Sequence, residues 1–261
     1  MSFSLDQFNL SGKVAVVTGA GGRGKSIGRA YALGLANAGA SIVVADLNTE
    51  GAQRVSDEIA AAGGKAVAVG VDIANPESTV KMAQAAEQAF GGVDILVNNA
   101  ALMVELTHTS AMDIPLDDWN RIMTVNLTGA LNCARAIVPL MRKRGGGKIV
   151  NQVSGGAFPA ISIYGISKLA LVGLTTTLAR QLGREKINVN AIAPGNTTSD
   201  AGRLLTPDDS PFIKFLEASV AMRVRGAPDE LVGTLLLLCS PAGDWITGQV
   251  VHVDGGWILR P

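Results

Sequence analysis

The stretch KVAVVTGAGGRGKSIG, residues 13–28, joins a run of apolar, β-branched residues to a glycine-rich turn and the start of an apolar-faced helix. Residues 13–17 predict a buried strand and residues 27–37 predict the helix, which Gly39 ends. Glycines between a first strand and a first helix let the backbone approach a pyrophosphate, which then sits at the helix N-terminus. The stretch therefore predicts a nucleotide-binding turn; a merely flexible turn is the alternative.

The alternation of strand and helix patterns continues through the chain and predicts the fold. Strands this apolar, separated by helices, are expected in a parallel sheet covered on both faces. Right-handed crossovers then give a single doubly wound α/β domain over residues 1–261, with seven strands and helices on both faces. An irregular segment begins at Pro194, and residues of about 194–222 are the candidate substrate loop. The further strand-like runs are residues 41–45, 66–71, 93–97, 148–153, 188–192 and 249–253.

Composition narrows the class of protein. The net charge is zero and the pI is about 6.7, so we expect neither nucleic acid nor membrane as a partner. Cys133 and Cys239 lie in apolar helical patterns, which suits a reducing cytoplasm. The first ten residues do not resemble a signal peptide, so we expect a cytoplasmic protein. His108 and His252 have no matching ligand partners, and no metal site is predicted.

Acidic and amide residues follow the predicted strands. Asp46 ends the second strand, where a carboxylate accepts hydrogen bonds from ribose hydroxyls and repels a 2′-phosphate; capping the next helix is the alternative. This favours NAD over NADP, although Arg23 and Lys25 could attract a phosphate. Asp72, at the end of the third strand, either faces an adenine or caps a helix. Small residues around Ala100 after the fourth strand would let a cofactor lie close to the backbone.

Tyr164 and Lys168 are four residues apart, so on a helix they lie on one face. A phenol titrates near ~10, and a fixed ammonium nearby favours the phenolate and lowers that pKa. Tyr164 would then be a general acid/base, with Ser154 holding the substrate oxygen. By itself such a pair also occurs in helices that have no catalytic role. Asn126, flanked by apolar residues, is either a satisfied core amide or part of a proton relay.

In combination, these residues resemble the short-chain dehydrogenase/reductase family from about residue 10 to residue 257. The matching pieces are Thr18-Gly19, Asn98-Asn99-Ala100, Asn126, Ser154, Tyr164 with Lys168, Pro194-Gly195, residues 246–249 and Val253-Asp254-Gly255-Gly256. The resemblance implies a Rossmann-type fold and a catalytic set of Asn126, Ser154, Tyr164 and Lys168. In that set Lys168 lowers the phenol pKa and holds the nicotinamide ribose, and Asn126 holds a water. The implied NAD-binding residues are Gly19, Gly21, Arg23, Ser26, Ile27, Asp46, Asp72, Ile73, Asn98, Ala100, Tyr164, Lys168, Pro194, Gly195, Thr197 and Ser199.

Two features depart from the family pattern. The glycine loop is longer than usual, and Ser26 occupies a position where the family typically has a glycine. A long loop with a serine before Ile27 is similar to that of the related enoyl-thioester reductases. Those proteins space Tyr and Lys more widely, and Leu171 occupies the position that their Lys would need here. Ser154 and Tyr164 are ten apart, about three fewer than is common, which predicts a more open pocket.

The sequence therefore predicts an oxidoreductase that transfers a hydride between NAD(H) and a secondary alcohol or ketone. Phe158, Leu102 and Met103 would flank an apolar pocket closed by residues of about 196–220, for an uncharged, alicyclic or aromatic substrate. The alternatives are an NADPH-dependent 3-oxoacyl-thioester reductase and a non-catalytic nucleotide-sensing Rossmann protein. Apolar helix surface from residues 116 and 164 onward, with the family resemblance, predicts a homotetramer. Trp257 is expected at another interface.

Overall fold

The computed structural model describes residues 4–22, 24–103, 110–160 and 162–259. Seven strands form one parallel sheet in the order β3-β2-β1-β4-β5-β6-β7. The predicted Rossmann-type sheet is confirmed, and each predicted strand overlaps an observed one. The strands are β1 Val14–Thr18, β2 Ser41–Asp46, β3 Lys65–Gly70, β4 Ile95–Asn98, β5 Gly147–Gln152, β6 Ile187–Pro194 and β7 Val250–Val253.

Five of the described α-helices start at side-chain caps. Ser26, Asn48, Asn75, Ser162 and Ser199 each accept a hydrogen bond from a backbone N–H in the first turn that follows. The α-helices are α1 Ile27–Asn37, α2 Thr49–Ala61, α3 Pro76–Phe90, α4 Leu116–Met123, α5 Gly129–Lys143, α6 Ile163–Leu182, α7 Asp200–Leu205, α8 Pro211–Ser219 and α9 Val232–Cys239. A π-helical turn, Thr124–Thr128, joins α4 to α5. No helix in the described ranges is long and apolar enough to cross a bilayer.

Both faces of the sheet are buried, because alternate residues of each strand point to opposite sides. Val17 of β1 packs with Tyr31 and Leu35 of α1 in one core cluster. Val16, the preceding residue, packs with Ile137 of α5 in the cluster on the other face. All five residues of β1 are buried, which explains why the strand lacks a polar alternation.

The chain changes direction across the sheet between β1 and β4. The first three strands build outward from β1, and β4 then pairs with the other side of β1, with Val17 opposite Val97. Ligands of doubly wound sheets bind at this switch point, beyond the carboxyl ends of the strands. The topology therefore brings the glycine-rich turn after β1 beside the segment after β4.

The segment after β6 is more ordered than the sequence predicts. It contains two short helices, α7 and α8, within the candidate substrate loop of about 194–222. Ser199 starts α7 by accepting a hydrogen bond from Gly202 N (3.1 Å). Neither helix is long enough to be stable alone, so their stability depends on tertiary contacts.

Candidate active site

A cavity of about 600 Å³ lies at the carboxyl ends of the central strands. Most of the residues that the sequence assigns to the site line it: Gly19, Ser26, Ile27, Asp46, Asp72, Ile73, Ala100, Ser154, Tyr164, Lys168, Pro194, Gly195, Thr197 and Ser199. Gly21, Asn98 and Asn126 do not line the cavity. Arg23 falls outside the described residues. The cavity thus gathers the proposed cofactor residues and the proposed catalytic residues in one place.

Close backbone packing shapes the glycine-rich turn. Gly19 has a φ of 68°, which favours glycine. A Cβ on Gly28 would lie 2.2 Å from the carbonyl oxygen of Gly19, so α1 could not approach β1 with any larger residue there. Ser26 Oγ accepts from Arg29 N (3.2 Å) and caps α1. The free N–H groups in the first turn of α1 therefore face the cavity, as an anion site requires.

Asp46 holds the turn while also facing the cavity. Its carboxylate accepts from Gly21 N (2.7 Å) and from Asn48 N (2.8 Å). Each carboxylate oxygen has a further lone pair, so Asp46 can also accept from a ribose hydroxyl. Gly21 does not line the cavity, and its link to the site is the hydrogen bond that its N–H donates to Asp46. Asp72 is exposed and lines the cavity, and its carboxylate accepts from Ala74 N (2.9 Å). Asn75 caps the helix that follows, so the capping alternative for Asp72 is wrong.

Of the adjacent asparagines after β4, the structure places Asn99, which we did not assign to the site, at the cavity. Asn99 Nδ2 donates to Thr18 O (2.9 Å) and to Gly19 O (3.0 Å), and so ties the glycine-rich turn to β4. Asn98 is buried and donates to Asn151 Oδ1 (2.8 Å), away from the cavity. Strand alternation could have indicated that only one of the two side chains faces the turn.

Ser154 and Tyr164 come together despite the short segment between them. Ser154 lies two residues after the end of β5 and caps the 3-10 turn Gly155–Ala157, and its hydroxyl forms a hydrogen bond with the Tyr164 phenol. Burial raises the pKa of Tyr164, and the hydrogen bond to Ser154 opposes this only in part. The expected lowering of the phenol pKa is therefore wrong for this structure, because desolvation of the phenolate outweighs the other contributions.

Lys168 lies beneath the phenol in a nearly dry environment. Its side chain is buried, Nζ donates to Gln152 O (2.8 Å), and Nζ is 5.6 Å from the centroid of the Tyr164 ring. Burial lowers the pKa of Lys168 to about 7. A lysine with such a pKa is only half charged near neutrality, which explains why it does not offset the burial of Tyr164.

Asn126 supports the site from behind. It lies in the π-helical turn, its Oδ1 accepts from Leu102 N (2.8 Å), and its Nδ2 donates to Leu102 O (3.0 Å) and Ser167 Oγ (3.0 Å). Both protons of the amide are used, so the side chain itself has no donor left for a water. Of the two interpretations of the sequence, the satisfied core amide describes these contacts. Its direct effect is to fix Leu102 in the cavity wall.

The segment after β6 closes the cavity and is held by Arg225, a residue that the sequence did not single out. The Arg225 guanidinium, with a side chain 6% exposed, donates to Thr197 O (2.8 Å), Thr206 O (3.1 Å) and Asp208 Oδ1 (2.9 Å). Asp200 N donates to Lys25 O (2.9 Å), which ties the start of α7 to the glycine-rich turn. The glycine-rich turn and the segment after β6 are therefore tied to each other.

Part of the cavity wall is apolar. Leu102, Met103, Leu205 and Trp257 form it. Phe158, expected beside the pocket, instead packs on His252, with ring centroids 4.7 Å apart. Trp257, expected at an interface, is part of the cavity wall, because the turn after β7 folds back over β6.

Within the described ranges, no three His, Cys, Asp or Glu side chains lie close enough together to bind a metal ion. His108 is outside the described residues. Cys133 and Cys239 are buried free thiols, and burial raises the pKa of each to about 12.

Comparison with known proteins places these features in a wide family. A family model described as Enoyl-(Acyl carrier protein) reductase matches residues 22–258. An uncharacterised oxidoreductase of Mycobacterium tuberculosis is 46% identical over 248 residues, covering 95% of this chain and 98% of the relative. The 7alpha-hydroxysteroid dehydrogenase of Escherichia coli is 36% identical over 260 residues, 98% of both chains. A 3-oxoacyl-[acyl-carrier-protein] reductase of Synechocystis is 35% identical over 256 residues, covering 96% of this chain and 98% of the relative.

Solved structures agree with the fold over almost the whole chain. A 7alpha-hydroxysteroid dehydrogenase complexed with NADH and 7-oxo glycochenodeoxycholic acid has a TM-score of 0.90, is 36% identical and covers 99% of each chain. A candidate NAD(P)-dependent gluconate 5-dehydrogenase from Beutenbergia cavernae, with NADP bound at low occupancy, has a TM-score of 0.88 and is 37% identical. It covers 96% of this chain and 98% of that one.

Proposed function

The chain belongs to the short-chain dehydrogenase/reductase family, and from this premise we propose that it is an NAD(H)-dependent oxidoreductase interconverting a secondary alcohol and a ketone. The observation that carries the proposal is the meeting of Ser154, Tyr164 and Lys168 at one wall of a cavity that the glycine-rich turn also lines. A proton donor, an oxygen-binding hydroxyl and an amine are the protein groups that carbonyl reduction needs.

The residues at the other end of the cavity fit a dinucleotide. A Cβ at Gly28 would meet backbone, the first turn of α1 presents unpaired N–H groups, and Asp46 retains lone pairs toward the cavity. Gly19, Ser26 and Ile27 would hold the pyrophosphate, and Thr197 and Ser199 the nicotinamide end. NAD(H), when bound there, supplies the hydride donor or acceptor.

Each catalytic side chain has one task in the proposed reaction. Ser154 Oγ donates a hydrogen bond to the carbonyl oxygen and orients it. Tyr164 Oη donates the proton that converts this oxygen to a hydroxyl, and its raised pKa keeps the phenol protonated at neutral pH. Lys168, whose pKa is about 7, exchanges protons readily near neutrality and keeps the phenol in position through its contact with the ring.

Replacement of Tyr164 by Phe tests the proposal most directly. It removes the transferred proton and keeps the ring, so we expect kcat to fall by 10²-fold or more. Tyr31→Phe is the matched control, because Tyr31 is fully buried far from the cavity wall and its hydroxyl has no partner. Undiminished turnover in Tyr164→Phe would refute the proposed chemistry.

We propose NAD(H) rather than NADP(H), on the position of Asp46 in the cavity wall. A carboxylate there repels a 2′-phosphate and accepts from the ribose hydroxyls. Asp46→Ala is expected to raise KM for NAD at least tenfold and to narrow the preference over NADP, whereas the exposed Asp57→Ala should change neither. A wild-type enzyme with higher kcat/KM for NADPH than for NADH would overturn this choice.

The substrate is proposed to be uncharged and alicyclic or aromatic. Leu102, Met103 and Leu205 offer apolar surface at the substrate end, and a relative in the family carries the name hydroxysteroid dehydrogenase. Values of kcat/KM for a panel of neutral cyclic alcohols, linear alcohols and sugar acids would measure this substrate preference. A clear preference for anionic sugar acids would defeat it.

A second candidate is reduction of 3-oxoacyl thioesters with NADPH. The Synechocystis relative has that name, and Lys25 lies in the turn where it could meet a phosphate. Higher activity with an acetoacetyl thioester and NADPH than with any free ketone and NADH would favour this candidate. Tight coenzyme binding without any turnover would instead favour the nucleotide-sensing alternative.

We also propose one domain over residues 1–261, a homotetramer and a cytoplasmic location. Leu116 of α4 and Leu169 of α6 are 77% and 44% exposed, which is consistent with burial of these helices between subunits. The two buried, unpaired thiols suit a reducing compartment. Sedimentation at micromolar concentration is expected to show a tetramer, and a monomer alone would contradict the assembly.

A further inference from the structure

We propose that Trp257 is the specificity-determining residue of the substrate end: its indole forms a flat wall against which the ring of a cyclic substrate packs. This inference rests on the proposed function and deepens it. It assigns the substrate class as a neutral compound whose alcohol or ketone carbon is part of, or directly attached to, a ring. The order of elements in the sequence gives no indication of this role, because Trp257 follows the last strand.

The indole lies next to the catalytic serine. A Cβ added to Gly155 would be 2.9 Å from both Cε3 and Cζ3 of Trp257, so the edge of the six-membered ring touches the backbone directly after Ser154. Trp257 also lines the same cavity as Ser154 and Tyr164. A substrate whose oxygen meets these two residues therefore has the indole as a neighbour.

The short segment between Ser154 and Tyr164 makes room for the indole. Gly155 and Gly156 contribute no side chains, and Gly165 packs so closely that a Cβ there would be 2.7 Å from Gly156 O. The segment's own aromatic residue, Phe158, is turned toward His252. Trp257 thus fills the space that a longer segment or a larger side chain would occupy.

The indole is held in place from both sides. Asp254 accepts from Gly256 N (2.9 Å) and Ile258 N (2.9 Å), and Trp257 N donates to Asp254 O (3.2 Å), so the turn that carries the indole is fixed. Behind it a void of only about 20 Å³, shared with Val220 and Arg225, leaves no space for the ring to move away. A wall fixed in this way discriminates between substrate shapes.

The charges around the cavity agree with a neutral ring as the ligand. Of its described lining residues, the ionisable acids and the lysine are Asp46, Asp72 and Lys168. The two aspartates lie at the dinucleotide end, and Lys168 is covered by Tyr164. An aromatic face in a wall of this kind binds apolar rings through burial and dispersion.

The test compares cyclohexanol with 2-hexanol, which have the same number of carbons. In Trp257→Ala, kcat/KM for cyclohexanol should fall at least tenfold while that for 2-hexanol falls less than threefold, and Trp257→Phe should retain most of the preference. Trp245→Ala is the matched control, since Trp245 is 100% exposed, and it should leave both values unchanged. An unchanged ratio in Trp257→Ala, within a factor of two, would overturn the inference while leaving the proposed function intact.

Binding provides a readout that does not require turnover. Calorimetric titration of the NADH-loaded protein with cyclohexanone and with 2-hexanone should show tighter binding of the ring compound by the wild type and loss of that preference in Trp257→Ala. If the wild type binds the ring compound selectively but turns over no member of the panel, the proposed function fails and the inference stands. If the wild type shows no preference for the ring, or if Trp257→Ala keeps it, the inference is wrong.

Discussion

Replacing Lys168 by Met should remove a pH dependence of stability that the buried amine creates. Burial lowers the pKa of Lys168 to about 7 in the folded protein, compared with about 10.4 for an exposed lysine. The unfolded chain therefore binds about half a proton more than the folded chain at pH 7, and nearly one proton more by pH 8 to 9. The free energy of unfolding must rise with pH wherever the unfolded state binds more protons, by up to about 1.4 kcal/mol per pH unit for one proton.

The expected size follows from the two pKa values. At pH 7 half of the folded molecules already lack the proton, so integration from pH 7 to pH 9 gives a rise of about 2 kcal/mol. Above about pH 8.5 the buried thiols of Cys133 and Cys239 act in the opposite direction, because they stay protonated in the folded protein while the unfolded chain loses those protons. Both thiols are present in the wild type and in Lys168→Met, so their contribution cancels when the unfolding free energies of the two proteins are subtracted.

Urea unfolding followed by circular dichroism at pH 7, 8 and 9 measures this difference. Lys81→Met is the control, because Lys81 lies on an exposed face of α3. We expect Lys81→Met to show the wild-type rise and Lys168→Met to lack about 2 kcal/mol of it. A rise of equal size in Lys168→Met and in the wild type would refute the assignment of a lowered pKa to this amine.

Three further substitutions test the packing around the cavity. Asn126→Ala removes three hydrogen bonds and leaves the N–H and C=O of Leu102 without this partner, while Ser167 Oγ keeps its bond to Tyr164 O, so urea unfolding should show a loss of about 3 kcal/mol. Asn132→Ala loses one hydrogen bond and should cost about 1 kcal/mol; equal losses would contradict the hydrogen-bond count. Gly28→Ala should weaken NADH binding at least tenfold in a fluorescence titration, because its Cβ would meet a carbonyl oxygen at 2.2 Å, whereas Gly173→Ala, with open space around it, should bind normally. Arg225→Met should raise KM for coenzyme about tenfold with a much smaller change in kcat in steady-state assays, since its hydrogen bonds position the segment after β6; a loss confined to kcat would argue against a positioning role.

The pattern of apolar runs was sufficient to predict the sheet, because buried parallel strands need apolar residues on both faces and helices between them. The spacing of Tyr164 and Lys168 predicts a shared helix face for an equally local reason, and the helix α6 Ile163–Leu182 carries both. The glycine-rich turn was also predictable, since glycine adopts a left-handed backbone conformation such as that of Gly19 without steric cost.

Other features depend on which segments meet, and the sequence could not supply them. Asn99 rather than Asn98 holds the turn because the register of β4 against β1 sets which side chain faces it. Trp257 reaches the cavity because β7 pairs with β6, and Arg225 reaches the segment after β6 because Gly226 pairs with Thr197.

The sequence alone thus determined the order of strands and helices, the glycine-rich turn and the pairing of a phenol with an amine, all of which follow from covalent spacing and short-range periodicity. The tertiary structure decided the ionisation of that pair and the shape of the substrate end. Burial disfavours the charged form of both groups, so it raises the pKa of Tyr164 and lowers that of Lys168, and burial is a property of the whole packed chain rather than of any segment.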